Sequence, residues 1–88
     1  MKTSKQLERY LKGVANSRRI DILRLIEKED GVTMEQIAET LSCNPKTISM
    51  HTVRLVNAGL ITKKYEGLSV HHYLSPFGKK FINFFKDF

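Results

Sequence analysis

Eighty-eight residues have room for one domain and not for two. Fifteen Lys and Arg against nine Asp and Glu give a net charge of +6, which points to a polyanionic partner. A single cysteine, Cys43, excludes an internal disulfide framework, and no apolar run suffices for a signal peptide or a membrane span, so a soluble cytoplasmic protein is expected.

The first amphipathic segment predicts a helix over 4–16. Ser4 is its candidate N-cap, and Leu7, Tyr10, Leu11 and Val14 form one apolar stripe at i, i+3, i+4, i+7, with Gly13 as an interruption. Asn16 or Ser17 then caps a second helix running to about Lys28. Its Ile20, Ile22, Leu23, Leu25 and Ile26 point in several directions, as in an element buried on more than one side. Arg18 and Arg19 stand in the first turn of this helix, the wrong sign for its dipole. Solvated surface or an intramolecular ion pair accounts for them, with contact to phosphate as the alternative. Glu29-Asp30-Gly31 breaks the pattern, and Val32-Thr33 can add a very short strand.

The stretch 33–58 has the layout of a helix-turn-helix. Met34, Ile37, Ala38 and Leu41 repeat at helical spacing, with Thr33 and Gln36 placed for a capping box. Ser42-Cys43-Asn44 is long enough only for a turn. Asn44 then caps a second helix, Pro45 takes its first position, and Gly59 ends it after Ala58. On this second helix Ile48, Thr52, Leu55 and Val56 are expected on the core side. Lys46, Met50, Val53, Arg54 and Asn57 face outward, with Thr47 and Ser49 on the shoulders. Two cations, two small hydroxyls, an amide and a thioether suit base edges and phosphates in a major groove. Lys46, Thr47, Ser49, Met50 and Arg54 are therefore the candidates for reading bases or fixing register.

After Gly59 the period changes from 3.6 to 2. Residues 60–65 and 69–74 are β-rich runs around Glu66-Gly67-Leu68, a hairpin turn with glycine available for positive φ. A basic ribbon over 60–74, directly after the outward-facing helix, reads as a wing that lays Lys63 and Lys64 on a sugar-phosphate backbone. Ser75-Pro76 starts a last helix over 76–88 that holds every phenylalanine of the chain: Phe77, Phe81, Phe84, Phe85 and Phe88. Each can bury about 150–250 Å². Packing on the first helix within the monomer is one reading of this stripe; a terminal helix has only one side against its own domain, so the stripe and Leu7, Tyr10, Leu11 and Val14 are expected to build a homodimer interface.

With these elements placed, the chain resembles the ArsR family of winged helix-turn-helix repressors over nearly its whole length. Residues 15–23 (ANSRRIDIL) are similar to the family's A-D/N-P-x-R-x-x-I-L opening, with Ser17 where proline is usual. Thr47-Ile48-Ser49-Met50-His51 is similar to its T-V-S-x-H core. Ala58-Gly59-Leu60-Ile61, Glu66-Gly67 and Val70-His71-His72-Tyr73 resemble its A-G-L-V, E-G and aromatic wing pattern. There are departures. Thr52 replaces an apolar core residue, Val53 a polar one and Leu68 a wing-tip cation. Many members sense metals through paired cysteines in the first helix of the helix-turn-helix, where this chain has Glu35, Gln36 and Glu39.

No metal or other cofactor is expected. His71 and His72 are adjacent in a strand and leave opposite faces, His51 reads as a hydrogen-bonded packing residue, and Cys43 is a lone thiol. No nucleophile–base pair, paired carboxylates or phosphate loop is present, so catalysis is not expected. The chain thus reads as mainly α with a β-hairpin wing, in the order α-α-(β)-α-α-β-β-α. The expected protein is a homodimeric, sequence-specific DNA-binding regulator, a repressor by resemblance, on a near-palindromic double-stranded operator, with no effector identified by the sequence. A winged-helix protein-interaction module or a sequence-indifferent architectural DNA binder are the alternatives.

Overall fold

The computed structural model describes residues 1–88 as five helices and three short strands. Helix α1 (Ser4–Val14) starts one residue earlier than Ser4 suggested: Thr3 is the N-cap. Its hydroxyl accepts from Gln6 N at 3.2 Å, and the Gln6 amide oxygen accepts from Thr3 N at 2.8 Å. Thr3 wins over Ser4 because only Thr3 has a glutamine three residues on, which completes a reciprocal box. Helix α2 (Ser17–Lys28) is capped by Asn16, whose Oδ1 accepts from the backbone N of Arg18 and Arg19. It forms the centre of the core, with Ile22, Leu23 and Ile26 fully buried.

Strand β1 (Val32–Thr33) leads directly into α3 (Met34–Leu41), and Thr33 and Gln36 form the capping box that their spacing implied. Ser42 ends α3 in the left-handed region at φ 52°. Two residues later Asn44 Oδ1 accepts from Lys46 N at 2.8 Å and opens α4 (Pro45–Asn57), with Pro45 in its first turn. Gly59, at φ 78°, turns the chain out of α4 and into β2 (Ile61–Glu66).

Strands β2 and β3 (Ser69–Leu74) pair in register from Ile61↔Leu74 to Glu66↔Ser69, and β1 joins the far side of β3. The sheet is antiparallel in the order β1-β3-β2. Gly67 takes φ 60° in the tight turn between β2 and β3, the positive-φ position that a two-residue hairpin needs. Helix α5 (Pro76–Phe85) is capped by Ser75, whose Oγ accepts from Gly78 N at 3.0 Å. The same Ser75 hydroxyl donates to Gly59 O, so one side chain joins the start of α5 to the end of α4.

The arc of α4 that packs inward is Ile48, His51, Thr52 and Leu55, all buried. Val56 was expected there and is instead exposed, because it lies about 100° from the centre of that arc, while His51 closes the other side. Thr52, polar at an apolar position, is fully buried without an orphan hydroxyl: its Oγ1 donates to Ser49 O at 3.0 Å. Gly13, the interruption in α1, is a point of close helix approach. A Cβ there would stand 2.3 Å from the Ala58 Cβ, so only glycine lets α1 lie this close to the end of α4.

Candidate nucleic-acid interface

The sharp Asn44 cap and the short turn from Ser42 project α4 from the body with one face in solvent. Lys46, Thr47, Met50, Val53, Arg54 and Asn57 are all exposed on it, and Ser49 is half-buried at its margin. Neither Lys46 nor Arg54 has a carboxylate partner, so the face carries uncompensated positive charge. Met50 and Val53 set an apolar pair between these cations, a surface able to meet a thymine methyl. Val53 was not among the expected contacts; its place beside Met50 and Arg54 on the outward face is the signal for it.

The wing carries its two lysines on opposite faces. Lys63 stands across from the buried His72 on the inner face, half-buried, and burial pushes its ammonium below the usual lysine range. Lys64 is exposed on the outer face, across from His71, 3.6 Å from the Glu66 carboxylate. The strand alternation that separates His71 from His72 separates these lysines as well, so the two cannot lie side by side on one stretch of backbone.

Two histidines fasten the wing to β1 and the residue before it. His71 Nδ1 donates to Gly31 O at 2.7 Å, and His72 Nδ1 donates to Val32 O at 3.0 Å. His72 is fully buried, its Nε2 has no hydrogen-bond partner, and desolvation is the largest influence holding its pKa below the usual histidine value. His72 is therefore a neutral structural pin. No group of three or more His, Cys, Asp or Glu side chains converges anywhere in the chain.

The place of Arg19 is not legible in the sequence. Its Nε donates to His51 Nδ1 at 3.3 Å, and its Nη1 donates to Lys12 O at 3.1 Å and Gly13 O at 3.3 Å. The guanidinium thus closes the carbonyl end of α1, the negative end of that helix, and fixes His51 with its proton on Nε2. Burial first, then the charges of Arg19, Arg18 and Arg54, hold the His51 pKa below its usual value. Arg18 makes the intramolecular ion pair, with Asp21 at 3.7 Å.

The aromatic residues of α5 and of the three residues after it divide between two environments. Phe77, Phe81 and Phe85 pack against the core, and Tyr10 of α1 lies 5.1 Å from Phe77 and 6.3 Å from Phe81 between ring centroids. Leu7 (44% exposed), Leu11 (58%), Phe84 (56%) and Phe88 (91%) remain in solvent. Val14 was expected on the subunit face and belongs to the chain's own core, because Gly13 and Val14 form the edge of α1 turned inward.

No helix is long and apolar enough to cross a membrane. The profile of a family described as bacterial regulatory protein, arsR family, matches residues 16–63, which span α2 through the start of the wing. No curated protein matches the chain by sequence. Among solved structures, HlyU from Vibrio cholerae N16961 superposes with a TM-score of 0.80 at 25% identity, covering 90% of this chain and 85% of its own. A homodimeric winged helix-turn-helix DNA-binding domain, Mb0332 from Mycobacterium bovis, described as a possible ArsR-family transcriptional regulator, gives 0.80 at 27%, covering 89% and 71%. The transcriptional repressor PagR of Bacillus anthracis shares the fold, with a TM-score of 0.81 at 20% identity over 92% and 93% of the two chains. With the profile match over more than half its length and this fold, the chain belongs to the arsR family of bacterial regulatory proteins, the winged helix-turn-helix DNA-binding transcriptional regulators.

Proposed function

We propose that this chain is a cytoplasmic, homodimeric repressor of transcription that binds a near-palindromic operator. In this reading residues 1–88 act as one domain, with the helix-turn-helix at 33–58, the wing at 60–74 and subunit contacts from the first and last helices. The observation that carries the reading is the outward face of α4, where Lys46, Thr47, Met50, Val53 and Arg54 stand exposed without a carboxylate on either cation. Together with Ser49 they read bases and fix register in the major groove. Lys64, and Lys63 to a smaller extent, hold the flanking backbone.

The exposed Leu7 and Leu11 of α1 and Phe84 and Phe88 near the end of the chain supply apolar surface that a second copy covers, with Tyr10 packed on Phe77 and Phe81 beneath. The homodimeric state of the Mycobacterium bovis relative supports this assembly. A two-fold dimer brings two α4 helices to successive major grooves about 34 Å apart, so half-sites lie one helical turn apart. Selection of sequences from a random duplex library tests the whole reading. A two-fold-related motif is the expected product; an unenriched pool with salt-dependent binding would make the protein an architectural DNA binder instead.

A further inference from the structure

Between α1, the start of α2 and the end of α4 lies an open concavity of about 240 Å³. Arg9 and Lys12 of α1, Arg19 of α2, and Arg54 and Asn57 of α4 line it, and no carboxylate does. Arg9 and Arg54 have no ion-pair partner; Lys12 meets only Glu8, at 3.7 Å. The absence of a side chain on Gly13, which lets α1 lie on Ala58, is what brings cations from three helices to one place.

Arg19 is the fixed member of the group. Its Nε and Nη1 are held by His51, Lys12 O and Gly13 O, while its Nη2 donates to nothing in the chain. Burial, and after it the charge of Arg54, lower its pKa. Four like charges around one cavity repel each other unless an anion sits among them. Guanidinium forks and an amide donor match the oxygens of a phosphate group.

The geometry points to this concavity as a phosphate-binding site, filled by a backbone phosphodiester of DNA beside the half-site that α4 enters. The assignment rests on the reading of α4 as the recognition helix, because Arg54 and Asn57 belong both to its outward face and to the cavity wall. It extends the DNA-contacting surface from the helix-turn-helix and wing to α1 and the first turn of α2. A free phosphate ester offers the same chemistry and is the alternative source of the ligand.

The test compares the wild-type chain, an Arg9→Gln/Lys12→Gln variant and a Lys28→Gln control at the far end of α2. Arg9, Lys12 and Lys28 are all exposed, so the substitutions leave the fold intact. Affinity for a random-sequence duplex is measured between about 50 and about 200 mM salt, where each neutralised phosphate adds about 0.9 to the slope of log K against log salt. The cavity variant is expected to lose about one unit of slope per protomer relative to the Lys28→Gln control. In parallel, inorganic phosphate is titrated into DNA-free protein while the backbone amides of Gly13, Asn57 and Ala58 are followed by NMR. Unchanged slope with saturable phosphate shifts that the cavity variant abolishes keeps the phosphate site and assigns it to a free ester. Unchanged slope and no saturable shifts overturn the site. A wild-type affinity indifferent to salt would count against the α4 reading itself, and the phosphate titration would then judge the cavity alone.

Discussion

Gly78→Ala should destabilise the domain although alanine is the better helix former. Gly78 lies in the first turn of α5, and a Cβ there would stand 2.0 Å from Leu60 O, 3.1 Å from Leu60 C and 3.3 Å from Leu74 Cδ2. An ordinary carbon–oxygen approach is about 3.3–3.6 Å, so α5 must retreat from Leu60 by over about 1 Å. That movement stretches Ser75 N to Leu60 O, now 3.0 Å, and pulls the Ser75 hydroxyl away from Gly59 O. Overpacking costs about 1–3 kcal/mol and a weakened N-cap about 1 kcal/mol, against a propensity gain of about 1 kcal/mol. A net loss of about 2 kcal/mol follows, or about 8–16 °C in Tm for a domain of this size. Thermal unfolding followed by circular dichroism measures it directly. An unchanged or higher Tm would mean that propensity decides at this position and that the close approach of α5 to Leu60 is not binding.

Acidification should destabilise the fold before its carboxylates titrate. His72 and His51 are held neutral in the native state while the unfolded chain takes up protons near about pH 6.5, so stability is complete above that pH and falls below it. His72 alone contributes a slope of up to about 1.4 kcal/mol per pH unit, readable from urea midpoints between about pH 7.5 and about pH 5.5; a flat profile there would contradict the buried neutral pin. In the wing, Lys64→Ala should lower the salt slope by about one on every sequence alike, and Lys63→Ala by less, since Lys63 stands half-buried on the inner face. An equal loss from both would show that the ribbon reorients on DNA. Arg54→Ala should cost about 1–3 kcal/mol on the operator and change the preferred base, checked by repeating the selection with the variant. Phe84→Glu should yield monomers by sedimentation equilibrium at micromolar protein, with weak half-site binding; a variant that stays dimeric would assign the aromatic face to another partner.

The local rules of helix and hairpin formation made most of the fold legible. Thr33 with Gln36, Asn44 with Pro45, and Gly59 and Gly67 each mark a boundary by chemistry confined to a few residues, and the structure puts caps and turns there. Thr3 with Gln6 carries the same signal as Thr33 with Gln36, and only the nearby Ser4 obscured it. The features that escaped depend on partners far along the chain. Arg19 finds His51 thirty-two positions away, and no periodicity in the first turn of α2 hints at that. The division of the phenylalanines was equally hidden, since i, i+4, i+7 spacing says that Phe77, Phe81 and Phe84 share a broad face but not where the monomer's own surface ends. For the α4 contacts helical angle alone picks out the outward residues, while the width of the inward arc, which leaves Val56 outside, depends on how α1, α2 and α3 close around it.

Residues 58–60 tie the proposed subunit face to the recognition helix. Gly13 of α1 rests on Ala58, the Ser75 hydroxyl at the start of α5 donates to Gly59 O, and Ser75 N donates to Leu60 O. Both helices proposed to meet the second subunit are thus anchored to the three residues that follow α4. Arg19 adds a fourth tie, from the carbonyl end of α1 to His51 inside α4. With these short contacts between the proposed subunit face and the groove-facing helix, a shift at one would be expected to reach the other. In the proposed dimer, half-site spacing would then depend on the packing at Ala58-Gly59-Leu60. A change there that leaves each α4 face intact would still separate the two halves of an operator, because two recognition helices can occupy successive grooves only at the separation their shared core imposes.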